Sequence, residues 1–83
     1  MFPLRSFEVL LTSINDVKHF VNSACMQSCD IDIVSGRYII DAKSIMGIFS
    51  IDLAKSIRVE VHGTDADADA FMESVRNFIL PEA

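Results

Sequence analysis

The sequence predicts an α+β fold: an open-faced β-sandwich in which three helices pack on one face of a four-stranded antiparallel sheet. Three observations carry this. Three short stretches alternate apolar and polar residues with the two-residue period of a strand, a fourth is β-rich, two switch to helical spacing, and a short apolar segment reads as a third helix. Their order along the chain is β-α-β-β-α-β-α, with apolar residues segregated to one side of each. Finally, 83 residues that are 51% hydrophobic and 23% charged exclude intrinsic disorder. They suffice for one core, so residues 1–83 are read as a single domain.

Leu4 to Leu11 reads as the first strand, with Phe7, Val9 and Leu11 on one face and Glu8 on the other. Asn15 to Ser28 follows as a helix, because Val17, Phe20, Val21 and Ala24 fall at i, i+3, i+4 and i+7. Ser13 suits its N-cap, with Asp16 three residues on as an acidic variant of the capping box. Asp30 to Val34 alternates as a half-buried strand with Ile31 and Ile33 inward. Ser35-Gly36 signals a two-residue turn into a hairpin strand over 37–43. Ser44 to Ser50 is short and apolar, and reads as a short helix capped by Ser44. Ile57 to Val61 alternates again. Phe71, Val75, Phe78 and Ile79 mark a last helix up to Pro81, started by acids that suit its dipole and by Thr64 as cap.

The charge bounds function. Seven Lys or Arg against 12 Asp or Glu leave a net charge of −5, which argues against direct nucleic-acid binding. The longest stretch without a charged residue, His19 to Cys29, has 11 residues, where a membrane span needs about 20. No signal peptide is visible at the N-terminus, so a cytoplasmic location is expected. Cys25 and Cys29, placed at i, i+4 on the first helix, are expected as buried or half-buried free thiols.

Most candidate motifs have an ordinary explanation. Asp65, Asp67 and Asp69 are spaced like the first acids of an EF-hand loop. That loop would need Gly where Ala70 stands and Glu where Arg76 stands, so no metal is expected. His19 and His62 come with no nucleophile or orienting carboxylate nearby in sequence, and no catalytic residue or cofactor is expected. The segment Lys43-Ser44-Ile45-Met46-Gly47-Ile48-Phe49-Ser50 carries two readings. Ser44 caps a short helix, or it carries a phosphate facing the free N–H groups of that helix's first turn. Ile45, Met46 and Phe49 would then form an apolar patch beside it.

At this segment the chain resembles the HPr family, the small phosphocarriers of the bacterial sugar phosphotransferase system. Lys43-Ser44-Ile45-Met46-Gly47 matches the family's regulatory-serine motif. Asp30-Ile31, and Gly63 followed by Asp65 and an Ala-rich helix start, match more weakly. The resemblance covers nearly the whole chain and implies the same β-α-β-β-α-β-α sandwich. The family carries phosphate on a His in a Leu-His-Ala-Arg-Pro-Ala-like motif at the start of the first helix. Here Ser13 stands where that His would be, Asn15 replaces the Arg and Asp16 the Pro. The chain thus looks like a degenerate member of the Crh type. By the resemblance, it would be no enzyme. Its partners would be an HPr kinase/phosphorylase-like enzyme modifying Ser44, and a catabolite-control regulator reading phospho-Ser44 with Lys43, Ile45, Met46 and Phe49. The alternative is an unmodified HPr-derived interaction module.

Overall fold

The computed structural model describes residues 4–81. Its elements follow the expected order: β1 (Leu4–Val9), α1 (Ile14–Cys25), β2 (Asp30–Ser35), β3 (Tyr38–Asp41), α2 (Ile45–Phe49), β4 (Ile57–His62) and α3 (Asp65–Ser74). A 3-10 turn, Arg76–Phe78, follows α3. The four strands form one sheet in the order β1-β4-β2-β3, every neighbouring pair antiparallel.

Alternation along each strand builds the core. Phe7 and Val9 of β1, Ile31 and Ile33 of β2, and Ile57, Val59 and Val61 of β4 are buried on one face. The stripe Val17, Phe20, Val21 and Ala24 of α1 closes over them, joined by Ile48 of α2 and Ala68 and Phe71 of α3. Phe71 sits at the centre, with ring centroids 6.2 Å from Phe7 and 5.5 Å from Phe20. Each such side chain contributes about 1.5–3 kcal/mol by leaving water. The opposite face of the sheet carries Glu8, Asp32, Arg58 and His62 and has no covering layer among the described elements.

Several boundaries differ from the sequence expectation. The hairpin turn is Gly36-Arg37, one residue later than expected, because Ser35 still pairs with Tyr38. Gly36 has φ +60 and Arg37 does not, the pattern of a type II′ turn, which takes Gly at its first central position. β3 stops at Asp41, whose Oδ1 accepts the Lys43 N–H at 2.9 Å and whose carbonyl accepts the Ser44 N–H at 3.0 Å. These bonds turn the chain into α2. Helix α1 ends at Cys25, so Cys29 lies beyond it and the two thiols do not share a helix face. Cys25 is exposed rather than buried, and Cys29 is half-buried.

The largest difference is at the C-terminal end. Val75, Phe78 and Ile79 do not continue α3. The helix gives way to the 3-10 turn, and the chain then runs along β1. Leu10 N–H donates to the Phe78 carbonyl at 3.0 Å, Leu80 N–H donates to the Glu8 carbonyl at 2.9 Å, and Val9 bridges Ile79. These bonds satisfy the outer edge of β1, a gain that three more residues of helix would forfeit.

Candidate functional site

The start of α1 holds the first group of predicted residues. Ser13 is its N-cap, extended at φ −145 and ψ 165, and its Oγ accepts the Asp16 N–H at 3.1 Å. The Asp16 carboxylate turns chiefly to Thr12. Its Oδ2 accepts both the N–H and the hydroxyl of Thr12, each at 3.0 Å. These donors, the Thr12 N–H foremost, hold the Asp16 carboxyl below its ordinary value of 3.8. A fixed negative charge therefore stands in the first turn, directly after exposed Asn15 and three residues after exposed Ser13. His19 is engaged elsewhere. Its Nε2 lies 3.2 Å from the Ser74 carbonyl oxygen, and its ring meets Phe78 edge-on with centroids 5.5 Å apart.

The second group surrounds α2. Ser44 is its N-cap, half-buried, and its Oγ accepts the Gly47 N–H at 3.1 Å. Gly47 is needed here for space. A Cβ at this position would lie 2.5 Å from Ile40 Cγ2 and 3.2 Å from Ser44 Oγ. Ile48 is the helix's buried anchor, while Met46 is 77% exposed and Phe49 43%. Ile45 is half-buried against the core. The Lys43 ammonium donates to the Gln27 carbonyl at 2.9 Å, so that cation is already hydrogen-bonded beside the cap.

The fold brings the two groups together. A shallow groove is lined by Leu10, Ser13 and Ile14 from one side and Phe49, Leu53 and Ala54 from the other. Ile14, 62% exposed, extends the apolar surface and carried no signal in the sequence beyond its hydrophobicity. The sequence reading also missed the pair between His62 Nε2 and Asp32 Oδ2, 3.0 Å apart on the open face of the sheet. Thirty residues separate these partners, and only the β2–β4 register brings them close. The Asp65–Asp69 run is occupied structurally. Asp67 completes a capping box with Thr64, and Arg5 Nη1 lies 3.3 Å from Asp65 and 3.4 Å from Asp69.

No helix of the described residues is long and apolar enough to cross a membrane. No curated protein matches the sequence. The fold is similar to that of the phosphocarrier protein HPr from Bacillus anthracis str. Ames. That chain is 25% identical, with TM-score 0.70, covering 90% of this chain and 96% of the other. It is also similar to HPr-C-His from Thermoanaerobacter tengcongensis, at 21% identity and TM-score 0.69, over 92% of this chain and 89% of the other. A mycoplasma histidine-containing phosphocarrier protein shares the fold at 18% identity and TM-score 0.66, over 90% and 89%. The family model for the PTS HPr component phosphorylation site matches residues 15–80. The chain therefore belongs to the HPr family of the phosphotransferase system, whose members are phosphocarriers and not enzymes.

Proposed function

We propose that this chain is a regulatory HPr-family protein that does not relay phosphate through a histidine and is phosphorylated on Ser44. The observation that carries the proposal is the setting of Ser44. Its Oγ caps α2 within 3.1 Å of the Gly47 N–H, next to the exposed side chains of Met46 and Phe49. A phosphate there would meet backbone donors of the first turn, and a partner could read charge and apolar surface together. In this reading an ATP-dependent HPr kinase/phosphorylase-like enzyme modifies Ser44. A catabolite-control regulator then binds phospho-Ser44, with Lys43, Ile45, Met46 and Phe49 at the contact. The whole chain acts as one cytoplasmic module with protein partners, apart from membranes and nucleic acid.

The first helix supports the other half of the proposal. Phosphoryl relay needs a nucleophilic nitrogen, and an imidazole supplies one near neutral pH. Ser13 would form an ester that donates its phosphoryl group poorly. Asn15 supplies no cation where the carrier has its Arg, and Asp16 beside it adds a carboxylate held in its charged form. The family match begins at Asn15, two residues past Ser13.

Incubation with an HPr kinase and ATP is expected to add one phosphoryl group at Ser44, and Ser44→Ala should abolish it while remaining folded by circular dichroism. Phosphoenolpyruvate with the family's Enzyme I should add none. Absence of kinase labelling under conditions that label an ordinary HPr would overturn the proposal. A second reading treats the chain as an unmodified interaction module, because Ser44 Oγ is already employed as a cap. Partner capture unchanged by Ser44→Ala and independent of kinase treatment would favour it.

A further inference from the structure

The two edges of the sheet are finished differently. The C-terminal segment covers β1 through Leu10, Leu80 and the Val9–Ile79 bridge. Among the described residues nothing pairs with the outer side of β3. Tyr38 and Ile39 on that edge are 69% and 70% exposed. The run Tyr38-Ile39-Ile40 contains no Pro, Lys or bulge, and shortness is its one protection against further pairing.

We propose that β3 pairs with β3 of a second copy of this chain, antiparallel and centred on Ile39, so that one sheet runs through both copies. The direction of the backbone groups sets the centre. Ala42 N–H donates to the Ile31 carbonyl of β2 at 2.9 Å. By antiparallel alternation Ile40 and Tyr38 also turn toward β2, which directs the N–H and C=O of Ile39 outward. Two copies centred on Ile39 exchange both bonds. A register centred on Ile40 would face groups already spent on β2, and would set Ile39 opposite Asp41.

Charge selects the same register and a copy of the chain as occupant. With Ile39 opposite itself, Tyr38 to Ile40 of the two copies pair, and Arg37, the turn residue just before β3, is brought beside Asp41 at the far end of the other copy's strand. Neither residue forms an ion pair among the described residues. Asp41 is moreover the register partner of Asp32, so two carboxylates lie side by side on the open face. Among the described residues, His62 is the one ion-pair partner of Asp32 there. Like charges directly opposite destabilise a strand pair, and Arg37 of the second copy would relieve this one. A strand of unrelated sequence would meet the Arg37 and Asp41 charges at fixed ends of a short edge; a copy satisfies both at once.

A four-residue edge buries little area, so the dimer is weak and reversible, with Kd on the order of 0.1–1 mM. Sedimentation velocity from about 10 μM to about 2 mM should show this dimer. Ile39→Pro removes the outward N–H and leaves the bonds to β2 intact, so it should weaken the dimer by roughly tenfold or more. Arg37→Asp should weaken it comparably, while Arg37→Lys retains it. Circular dichroism confirms that each variant is folded; if Ile39→Pro does not fold, the two Arg37 variants decide. A chain monomeric at about 2 mM overturns the proposal. So does a dimer that survives Arg37→Asp.

Discussion

Replacing Gly47 by Ala tests how α2 is seated on the sheet. In a free helix the change is favourable by about 0.8–1.0 kcal/mol. Here the new methyl would stand 2.5 Å from Ile40 Cγ2, a contact that cannot exist without movement. Ile40 is branched at Cβ and stiff, and it belongs to β3, so the strain passes to strand or helix rather than to a floppy side-chain end. Overpacking of this kind costs about 1–3 kcal/mol, which leaves a net loss of about 1 kcal/mol after the helix gain. For a domain of this size that lowers Tm by about 4–8 °C. The methyl also crowds Ser44 Oγ at 3.2 Å, so the cap should loosen. Urea denaturation of a double-mutant cycle with Ile40→Ala isolates the cause. In the Ile40→Ala background Gly47→Ala should be neutral or stabilising, with a coupling energy of about 1–2 kcal/mol. A Gly47→Ala protein more stable than the parent would refute the reasoning, as would an equal loss in both backgrounds.

Two further outcomes are expected. Gly36→Ala should destabilise by about 1 kcal/mol through backbone strain alone, because φ is +60 and a Cβ there meets nothing within 4 Å. Gly36→Asn should cost less, since Asn tolerates that region; equal losses in thermal melts would contradict this. The Asp16 carboxyl is depressed by the Thr12 donors, so its contribution is fully present above the ordinary value of 3.8 and is lost as pH falls through the lower folded value. Asp16→Asn should therefore flatten the acid limb of the stability profile, and a carbon-detected titration placing the folded Asp16 at or above 3.8 would reject that account.

Periodicity made most of the fold readable, since the residues that alternate in β2 and β4 are those the sheet buries. It failed where two structures want the same spacing. Phe78 and Ile79 are apolar because they lie against the core beside β1, and three- and four-residue intervals from Val75 imitate a helix face. The end of α1 was overextended because Cys25 to Ser28 contains no Gly or Pro to signal a stop. For the site, the α2 segment was legible as a motif, and Ser13 and Asp16 as a cap. The groove joining Ser13 to Phe49 was not, because it is made by packing between distant elements. The Asp32–His62 pair needed a strand register that single-sequence patterns do not supply.

The strap along β1 has a consequence for the order in which the molecule can assemble. β1 comes from the beginning of the chain, yet its neighbours are β4, residues 57–62, and the segment around Phe78 to Leu80. During synthesis β1 therefore emerges long before anything exists for it to pair with. Through that interval Phe7 and Val9 have no sheet to enter, and the hairpin of β2 and β3 can form without them. Closing the sheet waits for β4 and for Phe78 to Leu80, a long-range step that should dominate the folding time. Disrupting the contacts of Phe78 to Leu80 should then affect the first strand most.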